Sequence, residues 1–412
     1  NQMKYFLIIL LFFSLSLKAT TIHVGKKHEV KSVKKGIALA KDGDTLIVHG
    51  GLYKEGNIKI DKRIVFLGKG LPVLDGEKKH EVLSIHADSV VVDGFKIIRC
   101  AYATITDPCG IKVYNRSHVL IQNNVLDDNF FGIYLQNAQK CTIKNNTLKA
   151  YGKEEQQLGN GIHCWKSNDI LIIANRIDGH RDGIYFEFVY DSLIWRNIST
   201  NNVRYGLHFM FSHSDTYITN IFRNNGAGVA VMYTKDVKMF NNTFDENWGA
   251  SAYGLLLKDI TDSYIFNNKF NSNTSAIYVE GSSRNKIEKN QFNANGWAMQ
   301  IQASSMDNEV VNNNFIGNTF DMGTNGSLVL NTFDSNYWDK YEGYDLNKDE
   351  IGDVPYHPLS LFAVLIENNP SAMLLFRSFM ITLLDKSEKV LPSITPDNFI
   401  DNKPQMKPLP LL

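Results

Sequence analysis

Residues 254–292 read GLLLKDITDSYIFNNKFNSNTSAIYVEGSSRNKIEKNQF. The stretch holds two copies of one pattern. Gly254 and Ala276 each open a short run of alternating apolar residues. Asn268 and Asn290 follow 14 positions later, and Phe270 and Phe292 come two beyond that. Alternation of period two marks a β-strand, because successive side chains leave opposite faces of the backbone. A unit of 22 residues cannot bury its apolar face alone and must stack on its neighbours.

The pattern extends in both directions. Small residues recur at Gly110, Gly132, Gly161, Gly183, Gly206, Gly228, Gly254, Ala276 and Ala298. Asn stands at 124, 146, 175, 197, 220, 242, 268 and 290, and Asn313 continues the column with one residue of slippage. Phe222, Phe244, Phe270, Phe292 and Phe315 follow the later asparagines. These columns predict an all-β fold, a right-handed parallel β-helix of about 22-residue coils. Identical side chains then stack coil on coil about 4.8 Å apart, Asn at a turn and Phe in the bore.

An open solenoid end needs a cover. Residues 32–40 read as an amphipathic cap helix with Ser32 as N-cap. Five segments are expected: a signal peptide at 1–19, the β-helix at 20–335, and a capping loop at 336–358. An apolar helical segment at 359–390 and a Pro-rich, extended or disordered tail at 391–412 complete the chain. The leader assignment rests on Lys4, the apolar run 5–17 and small Ala19. It places the mature chain outside the cytoplasm. Among the cysteines, Cys100 and Cys109 are close enough in sequence to bridge, whereas Cys141 and Cys164 fall on core positions.

Composition excludes some functions. The 43 basic and 43 acidic residues cancel, which disfavours a duplex-DNA binder. The 43% apolar content excludes wholesale disorder. Beyond the N-terminus no apolar run is long enough to span a bilayer.

Positions two and four after each anchor point away from the bore. His208, Met210 and Met232 then share one outward patch, and His213 ends the same strand in HFMFSH. Thioether and imidazole suit Cu(I). Asp345, Asn347 and Asp349 alternate like the start of a Ca²⁺ loop, but Tyr356 stands where the bidentate Glu belongs. The other reading is a capping loop tied down by Asx turns. A glycan-binding or glycan-cleaving β-helix is the alternative from another class. It would use Asp178, His180 and Asp182 of RIDGHRDG together with Glu187. At the C-terminus, Leu361, Phe362, Leu374, Leu375, Phe376, Phe379, Met380 and Leu383 form apolar stretches. These either cap the last coil or dock a partner.

Three segments carry a resemblance. RYGLHFMFSHSD (204–215), GVAVMYTKDV (228–237) and NYWDKYEGYDLNKDEIGDVPYHP (336–358) resemble the NosD family of periplasmic copper-related maturation proteins. Glu350 stands where that family usually has Gly. The resemblance implies a non-enzymatic accessory role in maturing nitrous oxide reductase. It implies an ABC transporter whose membrane subunit the C-terminal helices would dock, and a copper chaperone that delivers Cu(I). The patch of His208, Met210, His213 and Met232 then becomes the expected Cu(I) relay.

Overall fold

The computed structural model describes residues 19–102, 107–152, 154–326, 330–390 and 399–410. The expected leader, apart from Ala19, lies outside the described residues. The chain winds into a parallel β-helix with three walls, of 14, 13 and 12 strands among the described residues. Every wall is wholly parallel, and each strand pairs with its counterpart one coil away. A typical coil contributes Tyr205–Met210, Thr216–Ile218 and Ile221–Arg223, one strand to each wall.

The corners explain the Asn-Asn doublets. The first residue of each bend has positive φ: Asn123, Asn145, Asn241, Asn267 and Asn312, and elsewhere Ala174, Arg196, Thr219 and Lys289. Asn tolerates this left-handed backbone better than most residues. The second residue turns inward and forms the ladder. Asn197 shows the arrangement: its Nδ2 donates to Asn220 Oδ1 (3.0 Å) and to Ile172 O (2.9 Å). Its Oδ1 accepts from the N–H and the Nδ2 of Asn175. All polar atoms of a buried amide are thereby satisfied.

A second ladder, absent from the sequence reading, runs five residues further on through Asn202, Asn225, Asn247, Asn273, Asn295 and Asn318. The phenylalanine column stacks as expected from Phe222 to Phe315 and ends on Trp338, 4.0 Å from the Phe315 ring. The small anchors have a steric cause. A Cβ at Gly228 would lie 2.4 Å from Gly254 O on the next coil.

Helix α1 (Val33–Leu39) closes the N-terminal end, with Ser32 as its N-cap. Glu55, from the coil beneath, accepts from the N–H groups of Val33 (2.7 Å) and Lys34 (3.0 Å). Lys62 donates to the carbonyls of Ile37, Ala38 and Ala40. Both helix ends therefore meet the charge that their dipole favours.

At the other end, α2 (Leu361–Asn368) packs on the last strand of one wall. The Phe362 ring lies 5.9 Å from Phe320. A 3₁₀ turn (Pro370–Leu375) leads to α3 (Phe379–Val390). Residues 399–410 belong to the tail expected to be extended or disordered. They run extended but pack on the final coil, because Asp401 completes the first Asn ladder. Its carboxylate accepts from Asn336 N, Asn336 Nδ2 and Trp338 Nε1, each at 3.0 Å. Phe399 is buried edge-on against Phe333.

The four cysteines are free and buried, so Cys100 and Cys109 do not bridge. Their sulfurs are engaged by backbone instead: Cys100 Sγ accepts from Phe130 N (3.0 Å), and Cys109 Sγ donates to Asp107 O (3.0 Å). Cys141 and Cys164 are core thiols as expected.

Candidate functional site

The wall that carries Tyr205–Met210 presents the expected outward columns. In register, His163, Tyr185, His208, Ala230, Leu256 and Tyr278 form one column. Trp165, Glu187, Met210, Met232, Lys258 and Glu280 form the next. Met210 and Met232 are direct neighbours, so their Cα atoms are one strand spacing apart, about 4.8 Å. Both are half-buried.

The first column departs from the expected open surface. His208 is only 5% exposed although it faces outward. The Tyr185 and Tyr205 rings lie 4.8 Å from it on either side. Arg204, from the preceding bend, closes over it. Arg204 grips the wholly buried Asp182 in a two-point pair, Nε–Oδ1 2.9 Å and Nη2–Oδ2 2.6 Å. His208 Nδ1 lies 3.5 Å from the same carboxylate. Burial alone would raise the Asp182 pKa, but hydrogen bonds from His208 and Arg204 outweigh it and hold the carboxyl below its ordinary range. His208 Nε2 is buried and has no partner. An orphaned imidazole nitrogen is costly unless something coordinates or bonds it. Tyr185 Oη donates to Met210 Sδ at 3.5 Å, which ties the thioether to the histidine's aromatic neighbour.

His213 belongs to the corner rather than to the strand face. The chain bends at Phe211, where φ is 50°, and Ser212 turns inward to bond Met210 O. The His213 ring rests on Tyr190, and its Nδ1 accepts from Lys235 N at 3.1 Å. One of its two nitrogens is therefore committed to backbone. Burial and then Lys235 lower its pKa.

Beside the methionines runs a feature that the sequence reading missed. Phe188, Phe211 and Tyr233 occupy the same corner on three successive coils and stack at 5.3 and 5.1 Å. All three have positive φ. The same corner carries Asn115, Asn137, Lys166, Asp259 and Gly281 on other coils, and all but Lys166 are residue types this backbone favours. Aromatic residues there strain against that preference and leave partly exposed rings next to the thioethers. The signal was present as an aromatic at position +5 of three consecutive repeats.

The proposed carboxylate cluster does not assemble. Asp178 belongs to a different wall and bonds Thr200 and Asn201. His180 lies buried in the second Asn ladder. Asp182 lies buried on the side that carries Glu187, and Arg204 bonds both its oxygens. Burial raises the Glu187 pKa, but no second carboxylate joins it among the described contacts. The Asp-rich loop spends its oxygens on its own backbone: Asp345 accepts from Lys348, Asp349 and Glu350 N–H groups, and Asp349 from Ile351 N. This is the Asx-turn geometry of a capping loop.

The C-terminal residues divide. Phe362 is buried, which corrects its expected place on a docking face, and Leu361 is half-buried. Leu374 (90% exposed), Phe379 (83%) and Met380 (69%) are open, with Leu375, Phe376 and Leu383 beside them. Among the described residues no helix is long and apolar enough to cross a membrane.

The chain is similar to known proteins in sequence and in fold. Residues 149–344 match the family model described as "Periplasmic copper-binding protein (NosD)". A "Probable ABC transporter binding protein NosD" of Pseudomonas aeruginosa is 28% identical over 392 residues, 90% of each chain. Its namesake from Stutzerimonas stutzeri is 27% identical over 356 residues, 81% of this chain and 80% of the relative. Among solved structures, a family 28 exopolygalacturonase of Yersinia enterocolitica has a TM-score of 0.55 at 11% identity, covering 77% of this chain and 78% of its own. That likeness concerns the fold alone. The matched segment contains every coil of the His208–Met232 face, and the chain is similar to the NosD family over these residues.

Proposed function

We propose that this chain is a periplasmic, non-enzymatic copper-handling adaptor. It receives Cu(I) from a chaperone on the face formed by His208, Met210 and Met232 and works with an ABC transporter in copper–sulfur cluster assembly for nitrous oxide reductase. One observation carries the copper reading: two methionines in register on adjacent coils, next to a buried histidine whose Nε2 has no partner. Two thioethers and one imidazole make a soft donor set suited to Cu(I) over Ca²⁺ or Mg²⁺. The neighbouring Phe188–Phe211–Tyr233 rail supplies an apolar surface against which a delivering protein would sit. His213 is the weakest member of the set, since backbone holds its Nδ1. The exposed Leu374, Phe379 and Met380 face is the docking element for the transporter's membrane subunit.

The test is an anaerobic Cu(I) titration of the full mature chain against a competing chelator. The expected result is one tight equivalent, weakened about 100-fold or more in Met210→Ala/Met232→Ala, because removing both soft donors leaves a lone imidazole. An unchanged isotherm would move the site off this face.

A further inference from the structure

A second group of ligating side chains sits on the opening coils, in a part of the chain that neither the copper reading nor the family model's matched residues include. The strand Thr21–Val24 pairs in parallel with Thr45–His49, with Val24 opposite Val48. His23 and His49 therefore lie at the same end of adjacent strands. The chain then reverses tightly: Gly25 N donates to Val30 O and His28 N to Gly25 O, both at 2.9 Å. This turn folds His28 back onto the pair. Gly25 makes the gathering feasible, because a Cβ there would lie 3.1 Å from His49 Cβ and 3.2 Å from His28 Cδ2.

The three rings are in mutual contact. Their centroids are 4.1 Å apart for His28 and His49, 5.2 Å for His23 and His28, and 5.3 Å for His23 and His49. One nitrogen from each ring lies within 4.8 Å of the others, and His23 Nδ1 is 3.0 Å from His49 Nε2. Among the described residues this is the trio of potential metal ligands found at such spacing.

Among the described residues no carboxylate joins the trio. Three imidazoles facing one another offer lone pairs with few donors to meet them. Gathering them costs side-chain entropy that an ion would offset.

We propose that His23, His28 and His49 form a three-imidazole site for a borderline first-row divalent cation, Zn²⁺ or Cu²⁺. Metal–nitrogen bonds of about 2.0–2.1 Å in a tetrahedral site put ligand nitrogens about 3.4 Å apart, so small ring rotations complete the geometry. Imidazole suits these ions, whereas Ca²⁺ and Mg²⁺ require oxygen ligands that are missing from the trio. Three protein ligands leave a fourth position for water or an exchanging ligand. The bound ion would clamp the first coil to the second beside α1. The site does not depend on the Cu(I) reading of the His208 face.

The test uses the full mature chain without a histidine tag, stripped of metal. Zn²⁺ and Cu²⁺ are titrated separately against a competing chelator into wild type, H23Q/H28Q/H49Q, and Met210→Ala/Met232→Ala. One equivalent is expected in wild type and in the methionine variant, and binding at least about tenfold weaker in the histidine variant. Imidazole ¹⁵N shifts of wild type, followed as Zn²⁺ is added, give a reading that needs no variant: three histidines should respond together. Equal affinity in wild type and the histidine variant, or a shift pattern that spares these rings, overturns the site. Loss in the methionine variant alone assigns the divalent ion to the other face.

Discussion

His180 stands where the second ladder would otherwise carry asparagine, with its backbone N–H donating to Asn202 and its ring buried. Burial pushes its pKa down to about 4, and burial followed by Arg181 pushes that of His163 to about 3. Both folded values lie below the ordinary value of 6.5. Between about pH 6.5 and pH 4 the unfolded chain therefore takes up protons that the folded chain refuses, and stability falls as the pH drops. His180→Asn restores an amide to the ladder and removes one of these groups. Urea midpoints at pH 5 and pH 7.5 should lie closer together in this variant than in wild type. An unchanged gap would mean that His180 is not the acid-sensitive residue. Asp182 behaves in the opposite sense to a free buried acid. Held below its ordinary value by Arg204 and His208, it supports stability at neutral pH and gives way only in strong acid.

The cap helix α1 illustrates how packing overrides propensity. Gly36 sits in the middle of a seven-residue helix, where Ala would ordinarily be favoured by about 1 kcal/mol. A Cβ there would lie 2.7 Å from Val24 Cγ2 and 2.8 Å from Leu46 Cδ1. Overpacking of this kind costs about 1–3 kcal/mol. Gly36→Ala should therefore destabilise the first coils by about 1 kcal/mol net, read as faster amide exchange in residues 21–49 with later coils unchanged. Protection equal to or better than wild type would show that the helix lifts to make room. The apolar C-terminal elements divide at helix scale into buried and exposed residues. Phe362, Ala363, Ile366 and Ile381 are buried, while Leu374 and Phe379 remain in solvent. Leu374→Ser/Phe379→Ser should leave the melting curve within about 0.5 kcal/mol of wild type, as exposed positions do. The same variant should abolish co-purification with the transporter's membrane subunit, and retained complex would place docking elsewhere.

Along the whole molecule each coil meets only its neighbours, so the two ends govern resistance to fraying. Asp401 is the final acceptor of the first ladder and also holds Ser335 N and Lys403 N. Asp401→Ala would leave Asn336 and Trp338 with buried donors and no acceptor, at about 1–3 kcal/mol for each unmet group. Amide protection should drop in residues 330–338 and remain in mid-stack coils. Equal protection throughout would show that the tail does not seal the stack. A chain cut at Pro358 loses this cap as well as the helices, so docking is better tested by the point variants above.

The repeat architecture was legible because stacking forces chemistry into columns. Gly or Ala is required where backbones nearly touch, Asn where a left-handed bend meets a buried amide ladder, and Phe where rings share the bore. Each demand recurs every coil, so Asn268, Phe270 and their counterparts displayed the fold in the linear sequence. Met210 and Met232 were readable as neighbours for the same reason. What the repeat could not reveal depends on contacts between different columns or distant ends. Arg204 closes over His208 from a bend. Phe211 turns His213 onto a corner, and Asp401 returns from beyond α3 to finish a ladder that ended at Asn336. His23, His28 and His49 meet because a turn at Gly25 folds one histidine over two strands. Such meetings follow from the path of the chain between repeats, and only the tertiary structure decides them.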